Sequence, residues 1–215
     1  MGAIEKGRGV VLQEERIYFN SGDLKLEGLY ADAGSDCGVV ISHPNPLMGG
    51  SMHNNVVESL GFAFFRKGYS TLRFNFRGVG RSTGVHDKGE GEKEDLAGAI
   101  ACMSGRGATN IALSGYSFGA WVTAGYLQNN LPTGPVVLVA PPVSVYPFSP
   151  EALLGKIDLI VFGDKDPFCR SEDILPFSQK IEAKPVLIFQ TDHFFAGKEN
   201  DLIENVQKYV LDSVF

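Results

Sequence analysis

Two stretches of the chain set a serine between glycines in the pattern Gly-x-Ser-x-Gly: Gly80-Arg-Ser82-Thr-Gly84 and Gly115-Tyr-Ser117-Phe-Gly119. A serine hydroxyl becomes a useful nucleophile only when a neighbouring base takes its proton and a carboxylate orients that base. The string alone is weak, since roughly 0.2 matches per chain arise by chance at this glycine content. Context separates the two. A nucleophile elbow needs a strand, a sharp turn and an immediate helix. Residues 110–113 read as a strand and residues 118–128 as a helix that is apolar nearly all round, so Ser117 meets the requirement. Ser82 runs on into Val-His-Asp-Lys-Gly-Glu, which reads as loop, and turn chemistry is its expected role.

The base and acid follow from chain order, which in elbow-type enzymes is Ser, acid, His. Only His193 comes after Ser117, and it sits in a loop after the strand expected over residues 186–189. His43, His53 and His86 precede the nucleophile and lack metal-ligand spacing, so no metal is expected. The acid should follow the strand over residues 158–162, where Asp164 and Asp166 are both candidates. Acyl transfer also needs two N–H groups aimed at a developing oxyanion. The residue after the nucleophile, Phe118, supplies one. The other belongs to the loop after the third strand, where Asn45 stands between Pro44 and Pro46 and is the only backbone donor of the three.

The elements that must position these groups alternate. Residues 16–20 and 24–30 read as a strand hairpin around Ser21-Gly22-Asp23, followed by strands over 37–42, 70–76, 110–113, 136–140, 158–162 and 186–189. Helical spacing covers residues 54–67, 92–103, 118–128, 172–181 and 201–211. The expected fold class is α/β: a doubly wound, mostly parallel sheet with an N-terminal antiparallel hairpin, in one domain over residues 1–215 with an extension at 1–14. Chemistry in such sheets lies at the carboxyl ends of the strands.

Composition narrows the function classes. A net charge of −6 argues against nucleic acid and anionic membrane as partners. Cys37, Cys102 and Cys169 are widely spaced, which suits a reduced cytoplasmic protein. Residues 1–9 carry Glu5, Lys6 and Arg8 without an apolar core, unlike a signal peptide, and Lys6 does not fit a myristoylation site. No apolar run reaches the ~18 residues that span a bilayer.

Five strings taken together resemble the α/β-hydrolase superfamily: His43-Pro-Asn-Pro-Leu-Met-Gly-Gly50, Arg73-Phe-Asn-Phe-Arg-Gly-Val-Gly-Arg-Ser82, Gly115-Tyr-Ser-Phe-Gly119, Gly163-Asp-Lys-Asp166 and Asp192-His-Phe-Phe195. They are most similar to its small, lidless bacterial members, grouped with dienelactone-hydrolase-like proteins. The resemblance runs from about Arg16 to the end. It implies Ser117 as nucleophile, Asp166 as acid and His193 as base, with no cofactor and a small-molecule acyl substrate. Two departures limit it. This chain has His43-Pro44 where most relatives carry His-Gly, and Ser117 where true dienelactone hydrolases use Cys, so the lactone substrate is not carried over.

The region where many relatives insert a lid, residues 141–156, is short and rich in proline. Its Val143, Tyr146 and Phe148 are expected to form an apolar substrate wall, with Leu47 and Met48 facing it across an open, shallow site. Arg73, Arg77 and Arg81 are expected to pair with Glu92, Glu94 or Asp95 rather than bind a substrate carboxylate. The favoured function is hydrolysis of an ester or related acyl bond. Acyl transfer or peptidase action by the same residues, or a non-catalytic binding module on this fold, are the alternatives. Gly78-x-Gly80 lacks the third glycine and the immediate helix of a dinucleotide site.

Overall fold

A computed structural model describes residues 12–212. Eight strands form one sheet in the order β1-β2-β4-β3-β5-β6-β7-β8: β1 (Glu15–Ser21), β2 (Leu24–Ala31), β3 (Cys37–Ser42), β4 (Ser70–Phe74), β5 (Asn110–Tyr116), β6 (Val136–Val139), β7 (Leu159–Gly163) and β8 (Lys184–Ile188). The β1–β2 hairpin is antiparallel and β2 joins β4 antiparallel, while every other pairing is parallel. Among the described residues five helices connect the strands and a sixth follows β8: α1 (Asn55–Phe65), α2 (Glu90–Gly105), α3 (Phe118–Leu127), α4 (Pro150–Leu153), α5 (Ser171–Ile181) and α6 (Glu199–Asp212). One helix pair is α1 with α6 and another is α2 with α3. The result is the expected doubly wound architecture without a lid.

Local chemistry explains two of the differences from the expected boundaries. β4 stops at Phe74 because Ser82 Oγ intervenes at the next register pair, accepting the Glu27 N–H and donating to the Asn75 carbonyl, and the Phe76 N–H then turns to the His43 ring. β8 begins at Lys184 and accommodates Pro185, since the strand lies at the sheet edge, where a missing N–H costs least. β3, β6 and β7 read as apolar runs because both of their faces are covered, β4 is buried throughout although it carries Ser70, Thr71 and Arg73, and β1 alternates because one of its faces meets water. Two short elements carried no periodic signal, the 3-10 turn Pro46–Met48 and α4. The expected extension at residues 1–14 falls mostly outside the described residues. Its last part is packed, with Leu12 buried and the Glu14 carboxylate gripping Arg73 through Nε at 2.7 Å and through Nη2.

The arginines after the central strands are consumed internally. Arg77 meets Asp95 through Nε and Nη2 at 2.8–3.1 Å and reaches Glu94 at 3.0 Å. Asp95 also accepts from Ser21 Oγ and from the Arg77 N–H, both at 2.8 Å. Arg73 departs from expectation, pairing with Glu14 and Glu58 and donating to the Met52 carbonyl. Arg81 reaches Tyr18 Oη instead. Glu92 serves no arginine and binds the Asp87 and Gly89 N–H groups at the start of α2. Removing one member of a buried pair strands the other charge, which costs about 3–5 kcal/mol. Asp95→Ala is therefore expected to lower unfolding free energy by that amount in a urea titration. A loss under about 1 kcal/mol would contradict the pairing.

Candidate active site

β5 ends in a turn that few residues tolerate. Ser117 has φ 54° and ψ −117°, a strained conformation for a residue with a side chain, and α3 begins at the next residue. The glycines on either side are there for close approach. A Cβ on Gly115 would stand 2.5 Å from the Gly119 carbonyl oxygen, and one on Gly119 would stand 2.4 Å from the Ser42 carbonyl oxygen. Ser117 is the N-cap of α3, yet its side chain makes no capping bond. Its Oγ lies 2.9 Å from His193 Nε2.

The same histidine reaches Asp166. His193 Nδ1 is 2.7 Å from Asp166 Oδ2, so the arrangement calls for the tautomer with its proton on Nδ1 and its Nε2 lone pair facing Ser117. Asp166 is held in turn, since its Oδ1 accepts the Phe168 and Cys169 N–H groups at 2.8 and 3.1 Å. Both Asp166 and His193 are buried. Between the two carboxylates left open by the spacing, the geometry distinguishes clearly: Asp164 accepts the Thr191 N–H and staples the two loops together. Asp192 caps its own turn through the Phe194 N–H. Ser82 does the turn work expected of it, donating to the Asn75 carbonyl and accepting from the Glu27 N–H.

Asn45 and Phe118 border the cleft into which Ser117 and His193 open. The Asn45 carbonyl accepts from Met48 and Gly50, and its side-chain Oδ1 accepts from Leu47. Its backbone N–H has no partner among the described residues. His43, one residue before Pro44, underpins this loop. Its Nδ1 lies 2.6 Å from the Pro44 carbonyl oxygen and its Nε2 accepts the Phe76 N–H at 3.1 Å.

The cleft holds about 210 Å³. Met48 and Tyr146 line it as expected, together with Pro142, Val145, Phe168 and Phe194. Three expected wall residues do not, for Val143 lines a neighbouring cleft together with Phe148, and Leu47 lines neither. Phe148 points away and packs edge-on against Phe177 of α5 at 5.3 Å, because Trp121 Nε1 binds the Pro147 carbonyl and turns the chain there. Leu47 is 76% exposed and stands outside the cleft, since the 3-10 turn aims it at solvent. The site is open as expected, for Met48 is 83% and Phe194 62% exposed.

No family model matches the chain. It is 30% identical over 210 residues, 91% of this chain and 88% of the other, to the uncharacterized protein RP471 of Rickettsia prowazekii (strain Madrid E). An alpha-beta serine hydrolase homologue from Coxiella burnetii superposes with a TM-score of 0.84 at 32% identity, covering 93% of this chain and 99% of that one. The chain belongs to the α/β-hydrolase superfamily. XC6422 from Xanthomonas campestris, an α/β serine hydrolase without a lid, is similar at 28% identity and a TM-score of 0.82, with 93% and 94% of the two chains covered.

Sequence reasoning missed several groups that shape this α/β-hydrolase site. Tyr116 Oη donates to the His193 carbonyl at 2.7 Å and so fixes the histidine loop from below. Burial raises the Tyr116 phenol above its ordinary range, which keeps it a donor. Phe168 and Phe194 meet the His193 ring edge-on, at 5.1 and 5.9 Å between ring centres. Their nearness in sequence to Asp166 and His193 was the available signal.

Burial lowers the His43 imidazole from 6.5 to about 4. The unfolded chain takes up this proton near pH 6.5, whereas the folded chain resists until about pH 4. The stability from the neutral ring is thus complete above pH 6.5 and drains away as pH falls toward 4, by about 3 kcal/mol. That corresponds to roughly 6–12 °C in melting temperature. A Tm series from pH 7 to 4.5 should show this drop, and His43→Gln, whose amide oxygen can accept the Phe76 N–H, should flatten the slope. Parallel slopes in the two proteins would contradict it.

Proposed function

We propose that the chain hydrolyses carboxylic esters of small, uncharged acyl groups through an acyl-enzyme formed on Ser117. The observation that carries this reading is the unbroken chain of hydrogen bonds from Asp166 through His193 to Ser117, with Ser117 Oγ free of any capping duty. In the first step Ser117 Oγ bonds to the carbonyl carbon, its proton passes to His193 Nε2, and the carbonyl π electrons move onto oxygen. The Phe118 and Asn45 N–H groups donate to that oxyanion. The tetrahedral species collapses, the bond to the leaving oxygen breaks, and that oxygen takes the proton from His193. Water then adds to the acyl carbon, giving a proton to His193. The second collapse releases the carboxylic acid and returns the proton to Ser117. Asp166 keeps the imidazole oriented and balances its positive charge in each half.

The acyl preference rests on the lining. Apart from His193, no ionisable acid or base other than tyrosine borders the cleft among the described residues, and Arg73 and Arg77 are spent on buried carboxylates. Its 210 Å³ is below the ~300–1,000 Å³ common for drug-sized ligands, which favours short acyl chains.

A fluorophosphonate probe should label the native protein and leave Ser117→Ala unlabelled. Persistent labelling of the variant would remove Ser117 from its role, and an unlabelled native protein would favour a binding module on the same fold. For specificity, kcat/KM for 4-nitrophenyl butyrate is expected to exceed that for the 4-nitrophenyl monoester of succinate by about 100-fold, the cost of bringing an unpaired carboxylate into an apolar cleft. Equal rates would rule out the neutral-acyl preference.

A further inference from the structure

The two N–H donors assigned above come from different parts of the fold. Phe118 opens α3, and Asn45 lies in the loop after β3. Their relative position must be fixed before substrate arrives if they are to stabilise an oxyanion without reorganising. We propose that Tyr146 is the positioning residue that fixes it, an inference that rests on the hydrolytic reading of the site.

The argument begins with the hydrogen-bond inventory of Asn45. Its carbonyl, Oδ1 and Nδ2 are all engaged, and only its N–H is left over. Local turn bonds within residues 45–50 use the first two. The third alone leaves the loop: Nδ2 donates to Tyr146 Oη at 3.2 Å, across 101 residues of chain. Turn bonds give the loop its shape, but they do not say where it sits relative to α3. The close approach of Gly119 to the Ser42 and His43 carbonyls sets the root of the loop against α3, and the Tyr146 contact sets Asn45 itself.

Tyr146 can serve this purpose because it is anchored on the other donor's helix. Its ring stacks on Trp121 of α3, 4.6 Å between centres and 19° from parallel, and meets the Phe118 ring edge-on at 6.0 Å. Trp121 Nε1 binds the carbonyl of Pro147, the residue after Tyr146, at 2.8 Å. Trp121 is one turn from Ser117, whose carbonyl accepts its backbone N–H at 3.2 Å. A continuous path thus runs from Asn45 through Tyr146 and Trp121 to the first turn of α3. A tyrosine that only walled the cleft would need its ring and not its hydroxyl.

That distinction supplies the test. Tyr146→Phe keeps the ring, the stack and the wall and removes the hydroxyl. With 4-nitrophenyl acetate, kcat should fall by about 5- to 20-fold, less than the ~100-fold or more lost with a donor itself, while KM stays within about twofold. Affinity for a trifluoromethyl ketone that adds to Ser117 should fall by the same factor as kcat. In an Asn45→Ala background, Tyr146→Phe should change kcat no further. An unchanged kcat in Tyr146→Phe, a loss confined to KM, or losses that multiply in the double variant would overturn the role of Tyr146 and leave the hydrolase reading standing. A native protein that neither turns over the ester nor binds the ketone would overturn both.

Discussion

The site depends on one close backbone approach. At Gly119 the start of α3 comes so near the end of β3 that a single added carbon would collide with the Ser42 and His43 carbonyls. This contact lets the β5–α3 turn be as sharp as it is, and the sharpness holds Ser117 in a conformation its side chain would otherwise avoid. A strained serine is useful because its hydroxyl is lifted off the helix axis and faces a neighbouring loop. The strain costs of order 1–3 kcal/mol and must be offset by the surrounding packing. The parallel strands β3, β5 and β6 supply that packing, since β5 lies hydrogen-bonded between the other two and the Ser117 N–H continues the pattern onto Val139.

A second constraint is electrostatic. Several charged side chains gather near the carboxyl ends of the central strands, and the buried ones are paired outside the cleft lining rather than in it. Arg77 with Asp95 and Arg73 with Glu14 are buried ion pairs, and Glu92 is spent on backbone donors. Such pairs add little net stability. What they do here is clear the cleft of formal charge other than the Asp166–His193 couple. In a low-dielectric site any additional fixed charge would act strongly on that couple.

Most of the fold was legible because its pattern is repetitive. Strands buried on both faces read as short apolar runs, and the helices between them carry clear spacing. Of the candidate site, Ser117 and His193 followed from context and chain order. The choice of Asp166 over Asp164 leaned on the family resemblance, because two residues of sequence separation look alike in a loop. In the fold, Asp166 faces His193 and Asp164 faces the Thr191 N–H. The cleft wall was the least legible part. Residues 141–156 have no period to fix which side chains face inward, so Tyr146 and Phe148 looked equivalent. Trp121, a residue of another element, separates them by binding the Pro147 carbonyl that lies between them.

That misreading points to how so short a chain manages without a lid. A lid excludes water and completes the donor set by closing over the substrate. Here the segment between β6 and β7 has no length to do so, and the rim stays exposed at Met48, Val145 and Phe194. It is instead sewn down, by Trp121 to the Pro147 carbonyl, by Cys169 Sγ to the Pro141 carbonyl, and by Phe148 to Phe177. Rigidity of this kind is an alternative to closure, since groups fixed in advance need no movement to become effective. Fixing them requires ties between segments far apart in sequence, and these are the features that a linear reading of residue spacing does not reveal.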